Sequence, residues 1–162
     1  MITSPDWQPA DYQFMQAALE QAELAFKLDD HPFGAVIVKN GQIIGRGKSQ
    51  DSSTGTVVEH AEIIALINAC QKEHCNDLSE ATIYTTNEPC SMCASAIFQA
   101  KIPRVVIGLL RTDLPTFLRQ RQIRISDLAK DSSYPIKIES GLMKTEILEL
   151  FQRFFDKVGI KY

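Results

Sequence analysis

Apolar positions recur at helical spacing near the start of the chain. Met15, Ala18, Leu19, Ala22, Ala25 and Phe26 fall on one face and predict an amphipathic helix over residues 9–28, with Pro32 beyond its end. GAVIVK (34–39) and QIIGRG (42–47) then flank Asn40-Gly41. A type I′ turn needs positive φ at both central residues, so Asn-Gly between two apolar runs predicts a β-hairpin. After a polar loop at 48–57, Ile63, Leu66, Ile67 and Cys70 share a face and predict a helix over 59–74. ATIYTT (81–86) reads as a strand from its β-branched and aromatic residues. Pro89 then opens a short helix running to Ala100. RVVIGL (104–109) is nearly continuous apolar sequence, as in a strand buried on both faces. Past Gly108 the pattern weakens, and a helix near 113–121, a short helix at 126–130 and a strand at 134–138 are the expectations. Ile147, Leu150, Phe151, Phe154 and Val158 form one stripe and predict a C-terminal helix. Helices alternating with late strands imply a mixed sheet covered on both faces, an α/β layered fold.

The 162 residues are read as one domain, 1–162. No run reaches the roughly 18 apolar residues that a membrane span needs. The N-terminal MITSPDWQPADYQ is acidic and lacks an apolar signal core, so a cytoplasmic protein is expected. The net charge of −3 is unevenly spread: residues 1–100 carry 5 basic and 13 acidic groups, residues 101–162 carry 12 basic and 7 acidic. A basic C-terminal part could meet phosphate or RNA, or be no more than a solvated helical surface. In a cytosolic chain Cys70, Cys75, Cys90 and Cys93 point to metal ligands or core residues sooner than to disulfides.

Two short pieces carry chemistry: His60-Ala61-Glu62 and Pro89-Cys90-Ser91-Met92-Cys93. Each opens a predicted helix, where free N–H groups and the helix dipole favour a thiolate, the form that binds metal. Cys90 and Cys93 lie three apart, so a helical turn aims both sulfurs the same way. One His and two Cys suit Zn²⁺, and a set of three leaves a fourth position for water, the mark of a catalytic site. A metal-held water loses its proton near pH 7. Deamination also needs protons delivered to a ring nitrogen and to the departing amine, which a carboxylate beside the water can do. Glu62 is placed for that role provided His60 sits in the first turn, because residues i and i+2 of a regular helix do not face each other. His-x-Glu followed by Pro-Cys-x-x-Cys is the known pattern of zinc deaminases. A zinc staple lacks a good fourth ligand, since Cys70, His74 and Cys75 lie within or past the second helix.

PFGAVIVKNGQIIGRG, HAEIIAL, TIYTTNEPCSMCASAI and IPRVVIG, between Pro32 and Gly108, resemble the cytidine-deaminase-like superfamily. The branch they are most similar to holds bacterial tRNA adenosine deaminases, guanine deaminases and fungal cytosine deaminase. The resemblance implies a three-layer α/β/α fold with a five-stranded mixed sheet, one catalytic zinc held by His60, Cys90 and Cys93, Glu62 as proton shuttle, and a homodimer. It also implies backbone amides near Ala61 and Cys90 that orient water and substrate, and it directs attention to Phe33, Ser49, Ala61 and Pro89 as substrate contacts. Relatives carry Asn at the position of Ser49, where its amide binds the base, and D-P-T-A where this chain has Thr56-Val57-Val58-Glu59. The tail after Leu110 departs from the pattern of a tRNA deaminase. Phe117, Arg119, Arg121 and Arg124 are candidates to border the mouth of the site.

Three functions are open. A small-molecule enzyme acting on a free base or nucleoside leads, with an aminopurine such as guanine favoured over cytosine or cytidine. A tRNA adenosine deaminase shares the chemistry, and the acidic first part of the chain weighs against nucleic acid. An inactive zinc-binding interaction module would have no use for Glu62.

Overall fold

The computed structural model describes residues 2–3 and 6–160, the first pair by backbone alone; Met1, Ser4 and Pro5 of the acidic N-terminal stretch lie outside it, as do Lys161 and Tyr162. Helix α1 (Pro9–Lys27) begins at a capping box in which the Asp11 carboxylate accepts the Gln8 N–H at 3.0 Å. Strands β2 (Gly34–Lys39) and β3 (Gln42–Lys48) form the expected hairpin, with Asn40 and Gly41 at φ 51° and 72°. The predicted polar loop contains a single helical turn, α2 (Asp51–Thr54). Helix α3 (Ala61–Glu73), strand β4 (Ala81–Asn87), helix α4 (Ser91–Gln99) and strand β5 (Arg104–Leu109) follow, each within two residues of its expected limits. Then come α5 (Ile125–Asp131), β6 (Lys137–Ser140) and α6 (Lys144–Val158).

The five expected strands make one mixed sheet, and a two-residue strand β1 (Ile2–Thr3) extends it, giving the order β1-β6-β5-β4-β2-β3. The hairpin is antiparallel and meets β4 antiparallel, while β4, β5 and β6 run parallel. Alternation along each strand divides the core in two. Ala35, Ile37, Ile83, Val105 and Ile107 pack on one face with residues of α3, α4 and α5. Val36, Val38, Tyr84 and Val106 pack on the other with α1 and α6, whose Phe151 and Phe155 are fully buried. The fold is therefore the three-layer α/β/α arrangement. Gly47 sets how closely α3 sits on β3, since a Cβ there would lie 2.0 Å from the Ala61 carbonyl oxygen. That contact fixes the first turn of α3, which carries the chemistry.

Two late elements differ from the expectation. Residues 113–121 are not a helix: one 3₁₀ turn at Arg111–Asp113 gives way to irregular chain. Pro115 supplies no N–H to continue a helix. The last strand begins at Lys137 and not at 134, because its register is set by parallel pairing with β5 (Arg104 opposite Lys137), and Pro135 could not donate to that ladder.

A buried ion network ties α1 to the sheet. Arg104 donates to Asp11 at 2.8 Å and to Glu139 at 2.6 Å, and the Tyr84 hydroxyl donates to Asp11 at 2.7 Å. Burial pushes the Asp11 carboxyl up, but the hydrogen bonds from Arg104, Tyr84 and Gln8 outweigh it and hold its pKa below the usual value. A lowered carboxyl pKa stabilises the fold above the unfolded pKa, near 4 for Asp, and that contribution is lost as pH falls through the folded one. Arg104→Met leaves Asp11 buried without its cation. Breaking a buried pair costs about 3–5 kcal/mol, and partial exposure of Arg104 places this one at about 3 kcal/mol. Urea unfolding at pH 7 checks it, and a loss under about 1 kcal/mol, typical of surface pairs, would contradict it.

Candidate metal centre and active site

His60 and Cys90 occupy equivalent places. Each is the N-cap of its helix, with extended backbone (φ −77°, ψ 154° and φ −70°, ψ 171°). Each begins its helix by accepting through its carbonyl, from Ile64 N–H at 3.0 Å and Ala94 N–H at 2.8 Å. An N-cap side chain leans over the free N–H groups of the first turn, so imidazole and thiol are both held at the positive ends of two converging helices. Cys93, one turn into α4, is fully buried and points at the same spot. Cys90 Sγ lies 3.7 Å from His60 Nδ1, Cys93 Sγ lies 3.5 Å from it, and the two sulfurs are 3.6 Å apart.

Those spacings test the fit to a metal. Zn–S of about 2.3 Å and Zn–N of about 2.0–2.1 Å at tetrahedral angles require S···S near 3.8 Å and S···N near 3.6 Å. All three observed edges agree to within about 0.2 Å, so His60, Cys90 and Cys93 could hold Zn²⁺. Among the described residues no fourth donor joins the group. Cys70 is half-buried and Cys75 exposed, and neither belongs to it. Three ligands leave a coordination position for a reactant.

The sulfurs are unequal. Hydrogen bonding with Cys93, and then with His60, holds the Cys90 pKa down to about 3. Cys93, the donor in that bond and deeply buried, is pushed up. The Cys90 thiolate in turn raises His60. Zinc binds cysteine as the thiolate, so its binding should release protons.

Glu62 is the second residue of α3, two residues past the cap, and the extended conformation of His60 lets both residues line one cavity. The carboxyl is buried, and burial pushes its pKa above the usual carboxylate value despite a hydrogen bond from its own backbone N–H. The cavity, of about 230 Å³, is lined by His60, Ala61, Glu62 and Cys90 together with Phe33, Arg111, Leu118 and Arg121.

Of the other expected contacts, Phe33 and Ala61 line the cavity, whereas Ser49 and Pro89 do not. Ser49 is buried beside it: its N–H donates to the Phe33 carbonyl at 3.0 Å and its hydroxyl to Asp51 at 2.7 Å. It braces Phe33 without presenting a group to the site. Pro89 serves as the turn between β4 and α4. Of the mouth candidates, Arg121 lines the cavity and Phe117 backs it, stacking 6.4 Å from Phe33 within a cluster that includes Phe151, Phe154 and Phe155. Arg119 is exposed and lends its carbonyl to Arg111 at 3.2 Å.

Sequence reading missed Asn87, Glu88 and Arg111. Glu88 is buried, accepts the Arg111 N–H at 3.0 Å, and pairs with Arg124 through both carboxylate oxygens, one of them at 2.6 Å. It thus clamps both ends of the irregular 111–124 segment over the cavity. The available signal was position: two polar residues close a strand at the carboxyl end of parallel pairing, where α/β sheets bind ligands.

A family profile for the cytidine and deoxycytidylate deaminase zinc-binding region matches residues 8–109. The chain belongs to this deaminase family. The chemistry it carries is hydrolytic C–N cleavage of a nucleobase, and its metal is zinc. The chain is 34% identical over 142 residues to a tRNA-specific adenosine deaminase of Streptococcus pyogenes serotype M1, covering 88% of this chain and 81% of the relative. A solved structure from studies of A-to-I editing by tRNA:A34 deaminases superposes with TM-score 0.74 at 30% identity, covering 85% of this chain and 98% of that one. Guanine deaminase from Bacillus subtilis superposes with TM-score 0.62 at 29% identity, covering 89% and 92%. Among the described residues of this deaminase, no helix is long and apolar enough to cross a membrane.

Proposed function

We propose that this deaminase converts adenosine to inosine within tRNA, with His60, Cys90 and Cys93 as zinc ligands and Glu62 as the proton carrier. The observation that carries the substrate is the 34% identity, over nearly nine-tenths of the chain, to relatives named tRNA-specific adenosine deaminase. It displaces the preference for guanine read from Phe33 and Ser49. Cavity size supports the reading. At about 230 Å³ the cavity is smaller than the usual range for whole small-molecule ligands, about 300–1,000 Å³. It takes a base and leaves sugar and phosphate outside, where exposed Arg121 stands at the mouth. The excess of basic groups in residues 101–162 lies in the part of the chain that supplies that mouth.

Bound zinc supplies a Lewis acid and a water of lowered pKa. Glu62 would carry both protons of that water in turn, the first to the ring nitrogen beside the reacting carbon and the second to the amine, which would leave as ammonia while the water oxygen stays on the carbon. A carboxyl whose pKa is raised by burial is suited to this, since it both accepts and releases protons near neutral pH. Phe33 offers a ring face to the base, and Leu118 with the clamped 111–124 segment keeps bulk water out.

Deamination of a free purine is the second reading, favoured by the likeness to Bacillus subtilis guanine deaminase and by the acidic first hundred residues. Turnover of a tRNA anticodon stem-loop, adenosine, guanine, guanosine and cytosine, each at two salt concentrations, separates the two. The tRNA reading predicts deamination of the stem-loop alone, with apparent affinity falling steeply as salt displaces phosphate contacts. Salt-insensitive turnover of guanine would overturn it.

A further inference from the structure

Among the described residues, three buried side-chain nitrogen or oxygen atoms lack a hydrogen-bond partner, and two of them belong to Asn87. The third, Asp30 Oδ2, sits on a carboxylate whose other oxygen accepts the Ser53 N–H at 2.9 Å. Asn87 thus stands apart: its carbonyl oxygen and its amino group both lack a hydrogen-bond partner, on a residue only 4% exposed. Buried polar groups are nearly always paired, and an unpaired one calls for an explanation.

The backbone around it is pinned. Asn87 ends β4 opposite Leu109, its carbonyl accepts the Thr85 hydroxyl at 3.0 Å, and the next N–H, that of Glu88, donates to Leu109 at 2.7 Å. The backbone of Asn87 is therefore held, while its carboxamide has no hydrogen-bond partner. Asn87 lines the same cavity as His60, Glu62 and Cys90. Ser49 offers no competing group there, being committed to Asp51.

We propose that Asn87 is a specificity residue whose carboxamide hydrogen-bonds the substrate base at an edge away from the reacting carbon. A carboxamide can both donate and accept, so it can pair with a ring nitrogen or with a carbonyl of a nucleobase. The metal-ligating residues and Glu62 select the carbon that reacts; Asn87, lining the same cavity, selects which ring is presented. This rests on the nucleobase-deaminase reading of the site.

The zinc-loaded wild type, Asn87→Leu and Asn87→Asp are compared in three measurements: thermal stability, calorimetric affinity for hypoxanthine, uracil and an inosine-bearing stem-loop, and ammonia release from the corresponding amines. Asn87→Leu replaces an unpaired amide with an apolar group of similar size, so its Tm should equal or exceed that of wild type. Its affinity for the best of the three probes should fall at least about tenfold, since a site built to pair a ligand group loses strongly when the pair is broken. Asn87→Asp keeps the acceptors and loses the donor, so it should change the order of preference among the probes. Undiminished affinity in Asn87→Leu, a lowered Tm accounting for the loss, a uniform reduction in Asn87→Asp, or a wild type that binds none of the probes would each overturn the assignment. If wild type binds a probe through Asn87 but releases no ammonia from any amine, the deaminase reading fails and the assignment stands.

Discussion

Glu62→Gln is expected to lower turnover at least about 10²–10⁴-fold, the contribution typical of a positioned acid–base group, while zinc content and fold are retained. The amide has the shape of the carboxylate, so the cavity is undisturbed, and burying it is no harder than burying the buried carboxyl it replaces. What it cannot do is take and return a proton. Because Glu62 lies outside the group of three donors, metal binding should be indifferent to the change. Elemental analysis and turnover on the same preparation test this together. Retention of near-normal turnover would mean that another group moves the protons. Loss of zinc would mean that Glu62 helps hold the metal.

Cys93→Ser is expected to take zinc from about one per chain to near zero, since a serine hydroxyl is a poor substitute for a thiolate ligand. Cys93 is fully buried and contributes two of the three edges of the donor triangle, so no neighbour can replace it. Activity should fall by more than the about 10–100-fold that loss of an outer-shell partner costs. The control is Cys75→Ser, an exposed thiol outside the donor group, which should keep its zinc and its activity. Full zinc in Cys93→Ser would remove Cys93 from the ligand set.

The parts of the molecule governed by neighbouring residues were legible from the chain. Asn40-Gly41 dictates its turn because both residues tolerate positive φ, and the structure places both there. His60 and Cys90 were placed at helix starts from pattern alone, and both are N-caps. The irregular 111–124 segment was not legible, because residues distant in sequence anchor it. It is fixed by Glu88, which is 23 positions from Arg111 and 36 from Arg124, and by Phe117 against α6. Asn87 escaped notice for a related reason. An Asn at a strand end is ordinary in sequence, and only the folded cavity reveals that its amide has no partner. Ser49 was read as a site residue from its alignment with relatives, but its hydroxyl is turned to Asp51 two residues on. A side chain that can bond its own neighbouring turn often does so.

The central claim is hydrolytic deamination of adenosine in tRNA, and isotope labelling tests it most directly. The zinc-loaded protein is incubated with an adenosine-bearing anticodon stem-loop in ¹⁸O-water, and the RNA is digested to nucleosides for mass spectrometry. The account predicts inosine carrying ¹⁸O from solvent, one ammonia released per inosine formed, and neither product with Glu62→Gln. Adenosine recovered unchanged from the wild-type reaction would contradict it.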